Sequence, residues 1–274
     1  MSKKYIFMDV DGTLLNYHSR VPDSALAALI AAHERGHQLI VCTGRQRAQL
    51  PEQLKEIPFD GVISGSGAAV ECGGEIIYQS VWSDRELCEV LDYLDADGAV
   101  ALLHTKNGQL VDDRFFARAV PYMLSIGFDA EIIRTAFGGV RQVDDLHTAQ
   151  DVQKVFYYMS PKKTGQVDRE LGGRYFVTDY SVGEVRGDLY YGEITQRHVC
   201  KSQGMYRYLE HAGATVEDAI GVGDSGNDMD MILAAGVGVA MGNATDEIKR
   251  AADLVTTHID DDGIKNAFER LGLI

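Results

Sequence analysis

The sequence predicts an α/β fold built on a parallel sheet, into which a second α/β domain is inserted. Three observations carry this. Short apolar runs alternate with helical patterns through residue 82 and again from residue 188, as in βαβ units. From Ser83 to Gly187 the strands read longer and more polar, and Gly and Asp clusters separate the helices. At 274 residues, the chain is long enough for two compact parts.

Tyr5-Ile6-Phe7-Met8 is an unbroken apolar run bounded by Asp9, and is predicted to be a buried strand. Pro22-Asp23-Ser24 starts a helix with Leu26, Leu29, Ile30 and His33 on its predicted inner face, and Gly36 stops it. Gln38 to Cys42 is the next strand, ending at Thr43-Gly44-Arg45. A helical stretch from Gln46 to Ile57 is predicted to return the chain. Val62-Ile63-Ser64 is a third strand, followed by a Gly-rich hairpin through Glu75-Ile76-Ile77-Tyr78. In the middle segment, Val155 to Tyr158, Arg174 to Val177 and Asp188 to Tyr191 have the aromatic and β-branched content of strands. The alternation resumes with a helix over Lys201 to His211 and a strand over Ala219 to Val222. Met229 to Ala235 then reads as a helix and Val237 to Met241 as a strand.

A formal charge of −15 disfavours nucleic acid and anionic membrane as partners. An anionic substrate then needs a local positive site, which a metal ion supplies. Cysteines 42, 72, 88 and 200 show no CxxC spacing and read as reduced, mostly buried thiols of a cytoplasmic protein. The opening Met1 to Met8 reaches Asp9 too soon for a secretory h-region, and no run is long enough to span a bilayer. The expected form is a monomer or weak homodimer.

Two acidic motifs carry chemistry. Asp9-Val10-Asp11-Gly12-Thr13 follows the first strand, at the carboxyl end where parallel sheets form their ligand crevice. Its two carboxylates are spaced to place an oxygen donor and a proton-transfer group about one point, and Gly12-Thr13 supplies a turn whose N–H groups suit a phosphate. Gly223-Asp224-Ser225-Gly226-Asn227-Asp228 follows a late strand, and its carboxylates suit a magnesium shell of hard oxygens. Together they argue for phosphoryl transfer through an aspartate. Thr43 fits either a phosphoryl ligand or a turn residue, and Lys201 either a phosphoryl counter-charge or a solvated surface charge. The small strand Ile220-Gly221-Val222-Gly223 suggests close backbone approach to a ligand.

In order and spacing, Asp9 to Thr13, Thr43-Gly44-Arg45, Lys201 and Gly223 to Met229 resemble the four motifs of the haloacid dehalogenase superfamily. The insertion between the second and third motifs resembles the C2 cap of its Cof-like phosphatases, and Asp260-Asp261-Asp262-Gly263-Ile264 their closing segment. The resemblance implies a Rossmann-like core, residues 1–82 and 188–274, and a cap domain, residues 83–187. It implies that Asp9 attacks phosphorus to form an aspartyl-phosphate, and that Asp11 acts as acid and then as base. Thr43 and Lys201 would hold the phosphoryl oxygens. Mg²⁺ would be bound by Asp9, the backbone carbonyl of Asp11, and Asp224, with Asp228 in or next to its shell. Gly12, Gly44, Arg45, Ser66, Gly67 and Asn227 are the candidate substrate-binding positions. Where the subfamily often has Asn-Gly-Ala after the third core strand, this chain has Ser66-Gly67-Ala68, a shorter hydroxyl in place of the amide.

The implied activity is a Mg²⁺-dependent phosphatase acting on a small phosphorylated metabolite, a sugar phosphate or phosphorylated cofactor. A phosphomutase or phosphotransferase and a non-catalytic metabolite-binding module are the alternatives. Arg114, Arg118, Arg141 and His147 are unranked cap candidates for reading the leaving group, with a surface role the stronger reading for each.

Overall fold

In the computed structural model, which describes residues 2–179 and 188–274, the first strand, β1 (Tyr5–Met8), is buried along its whole length. An unbroken apolar run is what a strand covered on both faces requires. Helix α1 (Asp23–Glu34) follows, then β2 (Gln38–Cys42), β3 (Gly61–Ser64), β4 (Ala69–Cys72) and β5 (Glu75–Gln79). Gly73 and Gly74 join β4 to β5 with φ of +57° and +86°. Two successive positive φ values are the mark of a type I′ hairpin turn.

The chain then passes through α2 (Asp84–Ala96), β6 (Val100–Thr105), β7 (Gly108–Val111), a π-helical turn, α3 (Val120–Ser125), α4 (Ala130–Phe137) and β8 (Arg141–Gln142). Next come β9 (Val152–Ser160), α5 (Thr164–Glu170), β10 (Tyr175–Asp179) and β11 (Tyr190–Gln196). The last part holds α6 (Lys201–Ala212), β12 (Ala219–Gly223), α7 (Met229–Ala234), β13 (Val237–Ala240), α8 (Asp246–Ala251), β14 (Leu254–Val255) and α9 (Gly263–Arg270).

Two units emerge, Met1–Gln79 with Val199–Ile274, and Ser80–His198. The first has an eight-stranded sheet in the order β14-β13-β12-β1-β2-β3-β4-β5. It is parallel from β14 to β3, with β4 and β5 added antiparallel. Its larger core, around Ile6, Met8, Leu29, Leu39, Val222 and Phe268, lies on one face, and a second cluster around Phe7, Ile40, Met205 and Tyr208 on the other. The second unit has a six-stranded sheet, β10-β11-β9-β6-β7-β8, antiparallel except for β7 with β8. Separate apolar clusters lie on its two faces, one around Leu91, Leu103 and Tyr157, the other around Leu102, Phe115 and Phe156. The unit begins and ends at one point: Ser80 Oγ donates to Gln196 Oε1 at 2.8 Å and lies 2.8 Å from His198 Nε2.

The structure corrects several expectations. The break expected at residue 82 falls after Gln79. The one expected at Gly187, which lies outside the described residues, falls after His198. Residues 188–198 belong to the second unit because β11 pairs with both β9 and β10. Gln46 to Ile57 forms two 3-10 turns, Arg47–Gln49 and Glu52–Glu56. Pro51 stands between them, without an N–H, and Leu50 before it is extended at φ −69°, ψ 129°. The inner face of α1 is Ala25, Ala28, Leu29 and Ala32, while Ile30 is exposed. The alanines allow close packing against α9. All four cysteines are free, but only Cys42 is buried.

Candidate active site

The chain starts in the middle of the first sheet, fills β2 and β3 to one side, and later fills β12, β13 and β14 to the other. Strands β1 and β12 are therefore parallel neighbours at the point where strand order reverses, the place where open α/β sheets gather ligands. Met8 is in register with Val222, and Asp9 N donates to Val222 O at 3.0 Å. The two acidic motifs, 211 residues apart at Thr13 and Asp224, meet there: Thr13 Oγ1 donates to Asp224 Oδ1 at 3.2 Å.

Lys201 is the first residue of α6 and is fully buried. Helix α6 lies flush on β3 because Gly204 carries no side chain; a Cβ there would come within 2.5 Å of Ile63. Asp230 Oδ2 accepts from Ser202 N at 2.7 Å and fixes the helix start. The Lys201 ammonium then reaches Asp9 Oδ1 and Asp228 Oδ1, each at 2.5 Å. The other oxygen of Asp228 accepts from Asp224 N and Ser225 N, both at 3.0 Å, and from Ser225 Oγ at 3.3 Å. Asp228 thus ties the late loop to the lysine.

Burial raises Asp9 to about 7, against the opposing pull of Lys201. Burial, then the neighbouring Asp228, raises Asp224 to about 6. Burial also works against the charge on Lys201, but Asp9 and Asp228 outweigh it and hold its pKa above the ordinary lysine value. Carboxylate oxygens of Asp9, Asp224 and Asp228 lie within 4.8 Å of one another. Three carboxyl groups face the Lys201 ammonium here, more acidic oxygen than one positive charge balances. That donor set fits a divalent cation of the magnesium type.

Around this cluster the first loop is tightly held. Gly12 has φ +83°, and a Cβ on it would lie 2.3 Å from Asp224 Oδ2. Asp11 is the exposed carboxylate of the set, and Arg45 grips it with two bonds, Nη2 to Oδ1 at 2.6 Å and Nε to Oδ2 at 2.8 Å. Thr43 is buried directly after β2, and its Oγ1 accepts from Arg45 N at 3.1 Å, which leaves the hydroxyl proton to donate elsewhere. Ser66 has φ +58° and donates its N–H to Thr43 O at 2.9 Å. Gly44, Ser66 and Asn227 converge, since a Cβ on Gly44 would lie 3.4 Å from Ser66 Oγ and 3.6 Å from Asn227 Nδ2.

Gly67 packs elsewhere: its φ is +101°, and a Cβ would lie 2.2 Å from Cys200 O, so its bareness seats the loop under the start of α6. The close approach expected along β12 is to protein and not to a ligand, because Gly221 abuts Met231 and Ala235, and Gly223 abuts the Asp228 side chain. Asn243 was not foreseen. Its Nδ2 donates to Gly12 O at 2.7 Å and its Oδ1 accepts from Ile259 N at 3.0 Å. The only sequence signal was a Gly-Asn turn. In the second unit, Arg114 pairs with Asp112 and Asp95, Arg118 donates to Gly98 O, and His147 sits between Asp145 and Asp92. Arg141 is exposed.

The profile of the haloacid dehalogenase-like hydrolases matches residues 6–268. The chain is 27% identical to chloroplastic endoribonuclease YBEY of Arabidopsis thaliana over 97% of its own length, but spans only 46% of that protein. It is 27% identical to phosphatase YwpJ of Bacillus subtilis, covering 98% of this chain and 99% of the other. It is 26% identical to the pyridoxal phosphate phosphatase YbhA of Escherichia coli, covering 93% of both. Among solved structures, the subclass IIB sugar phosphatase BT4131 superposes with a TM-score of 0.78 at 26% identity, covering 99% of this chain and 100% of that one.

Proposed function

The chain belongs to the haloacid dehalogenase-like hydrolase family and is a phosphatase acting on phosphoric monoesters, and from this premise we propose a Mg²⁺-dependent reaction through an aspartyl-phosphate on Asp9. The observation that carries the reading is the disposition of Asp9: buried, with Oδ1 held by Lys201 at 2.5 Å. That grip orients Oδ2 for attack and favours the ionised carboxylate, opposing the burial that raises its pKa.

In the first step Asp9 Oδ2 forms a bond to phosphorus while the ester P–O bond breaks. The electron pair goes to the leaving oxygen, which takes a proton from the Asp11 carboxyl. In the second step, the Asp11 carboxylate accepts a proton from water. The water oxygen attacks phosphorus, and the Asp9–phosphorus bond breaks to restore the carboxylate. Thr43 donates its hydroxyl proton to a phosphoryl oxygen, and Lys201 offsets the charge of an anionic substrate next to Asp9. Gly12, Gly44, Ser66 and Asn227 form the wall against which the phosphoryl group rests. Asp9, the Asp11 carbonyl, Asp224 and Asp228 would hold Mg²⁺, which supplies charge neutralisation on the transferring phosphoryl group.

The substrate we propose is a small phosphorylated metabolite, a sugar phosphate or a phosphorylated cofactor. Relatives named for a sugar phosphatase and for a pyridoxal phosphate phosphatase both match nearly the whole chain, which supports the class. The free thiols at all four cysteines fit a reducing, cytoplasmic setting. No helix among the described residues is long and apolar enough to cross a membrane. The test is phosphate release from a panel of phosphorylated sugars, nucleotides and cofactors with Mg²⁺ or EDTA, for the wild type and Asp9→Asn. Metal-dependent release that the variant lacks is expected; undiminished turnover by Asp9→Asn removes Asp9 as nucleophile.

A further inference from the structure

We infer that Arg45, placed by sequence among the substrate-binding positions, is the positioning residue of the proton-transfer group Asp11. The inference rests on Asp11 serving as acid and base in the reaction proposed above. Asp11 sits in the loop after β1 with its side chain 58% exposed. A half-free carboxylate of that kind samples several rotamers, and a proton donor that wanders by an ångström loses most of its value. Arg45 removes that freedom. Its guanidinium meets both oxygens of Asp11, at 2.6 and 2.8 Å, and a planar fork fixes the plane of the carboxylate as well as its distance.

Arg45 is itself anchored. Its N–H donates to Thr43 Oγ1 at 3.1 Å, its carbonyl accepts from Gly65 N at 2.8 Å, and Nη1 donates to Gln49 O at 3.3 Å. The same short loop therefore carries the hydroxyl offered to the phosphoryl oxygen and the guanidinium that aims the proton donor. An ion pair with both partners this exposed adds little to stability, so placement is what the contact provides. In the acid form one oxygen of Asp11 carries the proton and stands out of the fork while the other stays bonded to Arg45; once that proton has gone to the leaving oxygen, the carboxylate of the second step is held by both.

The test compares kcat/KM, which reports the first chemical step, on two esters. One is a sugar 6-phosphate, whose alcohol needs a proton to depart; the other is p-nitrophenyl phosphate, whose phenolate departs without one. Arg45→Gln is expected to lose on the order of 100-fold on the sugar ester and less than about 10-fold on the aryl ester, because acid assistance matters only in the first. Arg45→Lys should recover part of the loss, and Arg45→Gln combined with Asp11→Asn should be no slower than Asp11→Asn alone. Equal losses on both esters, or a loss that multiplies that of Asp11→Asn, overturns the inference and makes Arg45 a phosphoryl ligand. Wild-type protein that releases phosphate from no ester overturns the phosphatase reading, and the role of Arg45 falls with it.

Discussion

The ammonium of Lys201 lies 2.5 Å from Asp9 Oδ1 in a site where both side chains are buried. Without that contact, burial and the neighbouring carboxylates leave Asp9 favouring its protonated, unreactive form. Lys201→Met is expected to lower kcat by roughly 10³-fold at saturating Mg²⁺. It also leaves Asp9 and Asp228 without their cation, at a cost of about 3 kcal/mol in urea unfolding with EDTA present. A variant with wild-type kcat removes the lysine from the reaction.

Gly12→Ala tests the fit between the two acidic loops. The new Cβ meets Asp224 Oδ2 at 2.3 Å and forces an L side chain into φ +83°. The expected result is a loss of at least about 100-fold in kcat/KM with an unchanged circular dichroism spectrum. Full activity would mean that the loops separate without consequence for turnover.

The acidic cluster of Asp9, Asp224 and Asp228 has a readout besides catalysis. Mg²⁺ should raise the thermal midpoint in a concentration-dependent way, equivalent to about 2.7 kcal/mol at 100 times its Kd. Asp224→Asn, which removes one charge from the triad, should flatten that response. A midpoint indifferent to Mg²⁺ from micromolar to millimolar would refute the metal assignment.

His104 provides a pH dependence away from this site. Burial lowers it to about 3, and the nearby Lys154 ammonium pushes it the same way. The folded pKa lies below the unfolded value, so the unfolded chain binds the proton first. The stability associated with neutral His104 is complete above the unfolded pKa of 6.5 and is lost as pH falls from there towards 3. Between pH 7 and pH 5 the loss should be roughly 2 kcal/mol in urea unfolding. His104→Leu should show a shallower dependence, and an equal slope in the two proteins would rule out His104 as its source.

Asn243→Ala removes one partner from Gly12 O and one from Ile259 N. A loss of about 1 to 2 kcal/mol follows from two bonds of this kind. Because Gly12 belongs to the loop that carries Asp11, kcat should fall as well, by roughly 10-fold. A drop in stability with kcat untouched would confine Asn243 to a structural tie.

What the sequence made legible was contiguous. Asp9 to Thr13 and Gly223 to Asp228 each follow an apolar strand and each spans no more than six residues, so local pattern was enough to single out the two loops that the sheet brings together. Lys201 was ambiguous because its meaning lies in burial, which depends on Gly204 and Gly67 letting α6 settle onto β3. Asn243 and Asp230 were invisible for a related reason: each acts on a backbone atom distant in sequence, and neither has a local signature. The second domain boundary was misplaced because β11 has the aromatic content of a strand but nothing that tells which sheet it joins. The helix expected over Gln46 to Ile57 failed on Pro51, where a single missing N–H outweighed the surrounding helix formers.

Ser80, Gln196 and His198 close the inserted unit at its neck. A segment whose entry and exit meet is attached to its host at one place, so insertions, deletions and replacements within it need not disturb the register of the host sheet. The whole segment can be reshaped in this way while β1 and β12 keep their parallel pairing and the carboxylates that follow them. The neck is accordingly the natural splice site for chimaeras: a foreign insert joined at Ser80 and His198 would leave the eight-stranded sheet of its host entire.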